Sequence, residues 1–136
     1  MICVDTTFLV DLWRDRDLPD CPCRNLLTTH PGEVFAVPAH AAGEFLEGGA
    51  AVSPERLEQS LAFLRLFRVG EVGIETAHRY AVIVAGLRKE SRLVGTSKPD
   101  LWVAAWAIPN GAPLATRNTK HFRGIPGLEL IDYPET

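Results

Sequence analysis

Four side chains, Asp5, Glu44, Asp100 and Asn118, carry the chemistry this sequence offers. Asp5 ends the apolar run Ile2-Cys3-Val4, and Asp100 opens the apolar stretch "DLWVAAWAI". Glu44 stands in "AAGEFLEG", and Asn118 follows "LAT" in "LATRN". A carboxylate at the tip of a strand that is apolar on both faces needs a partner, because an unpaired buried charge is expensive. If two such carboxylates stand about 5 Å apart, they repel by roughly 3 kcal/mol at an effective dielectric near 20. A fold does not keep that repulsion for stability. It is relieved either by raised pKa values or by a divalent cation. Oxygen donors without His or Cys suit Mg²⁺ or Mn²⁺, and Mg²⁺ usually takes one or two carboxylates together with waters and substrate phosphates. The chemistry implied is phosphodiester hydrolysis.

Each residue also has a purely structural reading. Ser97-Lys98-Pro99-Asp100 fits a capping box, in which Asp100 only helps to start a helix. Asn118 fits the N-cap of a short helix at "TKHF", and Glu44 and Glu47 fit a solvated helix face. Asp5 is harder to dismiss, because the strand it ends looks buried on both faces.

The elements that must position these groups alternate between short apolar runs and helical patterns, the rhythm of an α/β domain with a mainly parallel sheet. "MICVD", "EVFAVP", "RVGEV", "LAT" and "LELI" read as strands. "FLVDLWR" reads as a helix with Phe8, Leu9 and Leu12 on one side, and "PAHAAGEFLEGG" as a helix stopped by Gly48 and Gly49. "PERLEQSLAFLRLF" follows the N-cap Ser53, with Leu57, Leu61 and Leu64 as its stripe. "IETAHRYAVIVAGLRKESR" puts Ile74, Ala77, Ala81, Val84 and Leu87 on one face. "KPDLWVAAWAI" is the next helix, "PNGAP" a turn and "TKHF" a short helix. In open sheets of this kind the ligand crevice lies beyond the carboxyl ends of the strands, where strand order reverses. Asp5, Asp100, Asn118 and Glu44 all reach that edge if the first and fourth strands are neighbours.

The bulk composition sets the frame for this site. The chain has 136 residues, the length of one ordinary domain, and residues 1–136 read as a single unit. With 46% hydrophobic and 23% charged residues it has the composition of a globular protein. A net charge of -3 argues against coating nucleic acid by bulk electrostatics, so contact with it needs a local basic patch or a bound metal. Arg117, Lys120, His121 and Arg123 form the densest basic stretch and are the candidate phosphate contacts, against the alternative of a solvated turn. Three cysteines, two of them in "CPC", are an odd number and too closely spaced for a disulfide framework, and read as packing residues in a reducing, cytosolic setting. No segment reads as a membrane span or secretory leader. His40 and His78 read as surface or packing residues, and Trp102 and Trp106 as core or interface.

The motifs together resemble a PIN domain, specifically the VapC-type ribonuclease toxins of toxin–antitoxin pairs. The resemblance rests on "VDTTFLVDL", "AAGEFLEG", "DLWVAAWAI" and "APLATRNTKHFRGIPGLELIDY", in order along nearly the whole chain. It implies a three-layer α/β/α sandwich with a five-stranded parallel sheet in the order 3-2-1-4-5. It further implies an Mg²⁺-dependent endoribonuclease that acts on RNA, is commonly a homodimer, and is inhibited by a cognate antitoxin. Asp5, Glu44 and Asp100 become the acidic metal set, Asn118 joins them in catalysis, and Thr6 and Thr116 support them. Two positions depart from the family's pattern. Asn118 stands where many members have a fourth acid, and Thr7 stands where Asn or Ser is usual. Asn118 is the best support for a rival reading, a weakened module that only binds RNA or protein. A phosphoacceptor receiver domain would need paired acids after strand one and an Asp after strand three. This chain has Asp5-Thr6-Thr7 and Glu71 there.

Overall fold

The computed structural model describes residues 1–92 and 97–134, so Leu93–Thr96 and the last two residues of the expected 1–136 unit lie outside the described residues. Five short strands form one parallel sheet: β1 Ile2–Val4, β2 Phe35–Pro38, β3 Arg68–Gly70, β4 Leu114–Thr116 and β5 Leu130–Asp132. Their order is β3-β2-β1-β4-β5, as the resemblance implies. The central strands β1, β2 and β4 are buried throughout, which is why their sequences are continuous apolar runs rather than alternating ones.

Helices α1 (Thr6–Arg14), α2 (Pro22–Thr29), α3 (Ala39–Ala50) and α4 (Pro54–Phe63) occupy the crossovers that build the sheet from β1 out to β3. The chain then passes back over the sheet to β4 through α5 (Ile74–Lys89) and α6 (Lys98–Ala107), and α7 (Thr119–Phe122) leads to β5. Right-handed crossovers put a helix on one face when the sheet grows in one direction and on the other face when growth reverses. The packing follows this rule: α1 meets α2 and α3, α3 meets α4, and α6 meets α5 and α7. Phe8, on α1, anchors the core between layers. It stacks on Phe35 at 6.4 Å and meets Phe67 and Tyr133 edge-on.

Four sequence expectations change in detail. Pro22 opens α2, a helix that packing arguments on "CPC" alone do not anticipate, although a proline in the first turn is its ordinary start signal. Gly48 and Gly49 do not stop α3, which runs on to Ala50. Gly49 is instead where α4 comes closest. A Cβ there would stand 2.5 Å from Ser60 Oγ and 3.2 Å from the Arg56 carbonyl. Because Ser60 takes the contact, the α4 stripe shifts, and Leu61 is 48% exposed. On α5 the covered residues are Thr76, Ile83 and Leu87 rather than the Ile74 and Ala81 line, because α5 meets α6 along that side; Ile74 is 83% exposed. Trp106 is buried and donates to the Glu71 carbonyl at 3.0 Å, so it is a core residue.

Candidate active site

Order in the sheet reverses between β1 and β4, and the register there builds the site. Val4 pairs with Ala115, so the next residues of the two strands, Asp5 and Thr116, leave the sheet side by side. The Thr116 hydroxyl donates to Asp5 Oδ2 at 2.8 Å. Asp5 Oδ1 accepts the Phe8 amide at 2.9 Å, which makes Asp5 the N-cap of α1 as well. Asp5 is 3% exposed. Burial lifts its carboxyl to about 6, the Phe8 and Thr116 hydrogen bonds pull it back, and the negative charge of Asp100 pushes it up further.

Asp100 is the third residue of α6, whose N-cap Ser97 accepts the Asp100 amide at 3.3 Å. Half of the capping box is therefore present. The carboxylate, however, is turned to His121, whose Nδ1 lies 3.1 Å from Oδ2. Partial burial raises the Asp100 carboxyl above its ordinary range, His121 lowers it, and Glu44 raises it. Glu44 is exposed on α3, and its Oε1 accepts the Thr6 hydroxyl at 2.9 Å. The three acids from β1, α3 and α6 thus form one electrostatic neighbourhood, with Asp100 felt by Asp5 and Glu44 felt by Asp100.

Among the described residues, no group of three or more acids, histidines or cysteines closes into a ready metal cage. The side chains rest on Thr116, Thr6 and His121 instead. Uncompensated carboxylates repel, so each takes a local hydrogen-bond donor. The donor set still fits a hard divalent cation, which needs only one or two carboxylates and completes its shell with water.

Asn118 precedes α7, yet its side chain makes no capping hydrogen bond. Its amide Nδ2 donates to Thr7 Oγ1 at 3.3 Å, and its backbone N–H donates to Thr116 Oγ1 at 3.0 Å. The two positions that depart from the family's pattern therefore meet each other. Asn118 is tied through Thr116 to Asp5; it occupies the N-cap position of α7, as the sequence suggests, but its side chain is turned to Thr7 rather than to the helix amides.

The basic stretch divides. Arg117 Nε donates to Asp11 Oδ2 at 2.7 Å, so its guanidinium is drawn to a buried carboxylate. His121 faces Asp100. Lys120 and Arg123 are exposed and remain the candidates for phosphate contact. The residue that sequence reasoning missed is Asp11, 3% exposed, which also accepts from Arg14 at 3.2 Å and from the Tyr133 hydroxyl at 3.1 Å. A signal was available. An acid at the third position after Phe8 falls on the buried side of α1, where only a paired carboxylate is tolerated. The cysteines are free and buried, Cys21 and Cys23 at 2% each, and burial raises the Cys23 thiol to about 12, as for packing residues. A cavity of about 640 Å³ near Met1, Arg68 and Asn110 is lined by none of Asp5, Glu44 and Asp100.

Comparison with known proteins agrees with this geometry. The family model of the PIN domain matches residues 2–128. Ribonuclease VapC1 of Methanocaldococcus jannaschii is 31% identical over 134 residues, covering 96% of this chain and 87% of that protein. Ribonuclease VapC1 of Rickettsia felis is 35% identical over 108 residues, covering 76% of this chain and 78% of that protein. The crystal structure of VapBC2 from Rickettsia felis bound to a promoter DNA fragment aligns at a TM-score of 0.85 and 23% identity, over 98% of this chain and 100% of that one. That last likeness speaks for the fold. The acids at the β1/β4 edge, the sheet order and these relatives lead to one conclusion: the chain belongs to the PIN domain family and, within it, to the VapC ribonucleases.

Proposed function

We propose that this chain is a metal-dependent endoribonuclease, the toxin of a toxin–antitoxin pair, with Asp5, Asp100 and Glu44 as its acidic set and Mg²⁺ as its ion, which Mn²⁺ can replace. The observation that carries the reading is geometric: buried Asp5, held by Thr116 where β1 and β4 leave the sheet, with Asp100 at the start of α6 held by His121 and Glu44 on α3 held by Thr6. Asp5 and Asp100 would hold the cation, whose chemistry is to lower the pKa of a bound water and to stabilise charge on the phosphate in the transition state. Glu44, exposed and oriented by Thr6, takes the proton of the attacking water. Thr116 fixes the Asp5 carboxylate, His121 that of Asp100, and Asn118, held by Thr7, would position water or the cation beside them. Lys120 and Arg123 meet the phosphates of the RNA strand.

Relatives crystallised as VapBC complexes support a cognate antitoxin as the partner. Apolar surface before, on and after α4, with Val52 65%, Leu61 48% and Leu66 68% exposed, supports assembly with that partner or with a second copy as a homodimer. No described helix is long and apolar enough to cross a membrane, and action on RNA in the cytoplasm belongs to the same reading. The test is incubation of antitoxin-free protein with total cellular RNA in Mg²⁺, beside EDTA and Asp100→Asn controls. Discrete cuts in the first reaction alone support the proposal. Folded protein that cuts nothing in either Mg²⁺ or Mn²⁺ favours the module that only binds.

A further inference from the structure

Beside Glu44 the surface opens into a cavity of about 470 Å³ walled by His40, Glu44, Val72, Lys98, Pro99 and Trp102. That volume is within the range of small-ligand sites. The cavity adjoins the acid site through the chain itself, since Lys98 and Pro99 are the first two residues of α6 and Asp100 is the third. Trp102 is held by Tyr80, which stacks on it at 4.2 Å and 13° and is not among the lining residues. The indole is therefore a fixed aromatic wall. His40 Nε2 lies 3.3 Å from the Pro99 carbonyl, which puts the proton of the neutral ring on Nε2 and leaves Nδ1 as an acceptor. That Nδ1 is buried without a hydrogen-bond partner. An unmet buried polar atom is unfavourable; it lies on a residue that lines the cavity but is itself closed off from it.

We propose that, given the ribonuclease reading above, this cavity receives one unstacked nucleobase of the RNA strand next to the scissile phosphate. The chemistry of the wall selects that occupant. The Trp102 indole, Val72 and Pro99 suit a flat apolar ring, and Lys98 supplies a cation for the adjoining phosphate. Single-stranded RNA is held in this way, by splaying bases onto aromatic side chains. Such a pocket anchors the strand beside the acids through one base, whichever base it is.

The test measures binding apart from cleavage. The full chain in EDTA is titrated with a labelled RNA hexamer containing all four bases, and with a hexamer of the same sugar–phosphate backbone made abasic throughout. The wild type is expected to bind the base-bearing strand at least roughly tenfold more tightly. Trp102→Ala loses that preference while its affinity for the abasic strand is unchanged, and Trp102→Phe retains most of it. Since Trp102→Ala also removes the stack with Tyr80, Val72→Trp serves as a second variant that fills the cavity and leaves the stack intact. It too loses the preference. Equal affinity of the wild type for both strands overturns the proposal, as does a preference that survives in Val72→Trp. The same hexamer in Mg²⁺ separates the two claims. Cutting without base-dependent binding sinks the pocket alone, whereas base-dependent binding without cutting by folded protein leaves the pocket and sinks the nuclease reading.

Discussion

Replacing Asp5 with Asn should make this protein more stable at neutral pH, although Asp5 is central to the proposed site. The carboxyl of Asp5 rises from 3.8 to about 6 on folding. That is roughly two units at about 1.4 kcal/mol each, or about 3 kcal/mol. The folded state holds the proton more tightly than the unfolded state, so stability is full below the unfolded value and falls as pH climbs through about 6. Above that pH the ionised carboxylate destabilises the fold. Asn keeps an oxygen to accept the Phe8 amide, while the Thr116 hydroxyl loses its acceptor, a loss of about 1 kcal/mol. The net gain at pH 8 is about 2 kcal/mol, and at pH 4 the variant is the weaker protein by about 1 kcal/mol. Urea denaturation in EDTA, followed by tryptophan fluorescence at both pH values, reads this difference directly. Adding Mg²⁺ at about a hundred times its dissociation constant stabilises the wild type by about 2.7 kcal/mol and removes the advantage of the variant. An Asp5→Asn protein less stable than wild type at pH 8, or a difference that does not change with pH, refutes the reasoning.

Other outcomes follow from the same contacts. Asp11→Asn weakens the ties to Arg117 and Arg14 and should lower stability by about 3 kcal/mol, read as a fall in the urea midpoint with unchanged slope. Gly49→Ala, which in a free helix would add about 1 kcal/mol, should instead destabilise by about 1–3 kcal/mol because its Cβ meets Ser60 Oγ. Combining it with Ser60→Ala should recover part of that loss, so a thermal-melt double-mutant cycle that shows strict additivity would count against the close approach of α3 and α4. Thr7→Ala frees the Asn118 amide and should reduce cleavage by roughly tenfold while changing stability by less than about 1 kcal/mol, which separate kinetic and denaturation measurements resolve.

The strands were legible because β1, β2 and β4 are buried on both faces and so carry uninterrupted apolar runs. That Asp5 and Asn118 share an edge was legible for the same reason, once the two strands were taken as neighbours. Contacts between helices were less legible. Gly49 reads locally as a stop, and only the approach of Ser60 across the α3–α4 interface makes it an interior residue. The face of α5 is set by where α6 lies, which the apolar period of α5 alone does not reveal. At the site, the acids were readable by type, but their partners were not. That Arg117 turns inward to Asp11, and that Asn118 meets Thr7, depends on contacts 106 and 111 residues apart in sequence. Such pairings depend on tertiary geometry, which local pattern does not encode.

The central claim is that the acids of β1, α3 and α6 act together with a divalent ion on RNA. Its most direct test is single-turnover cleavage of one mapped RNA site at saturating Mg²⁺ by wild type, Asp5→Asn, Asp100→Asn and the double variant. The account predicts that each single change slows cleavage by more than roughly a hundredfold. Because the two carboxylates act as one unit, the double variant should be scarcely slower than either. Cleavage at the wild-type rate by either folded single variant would contradict it.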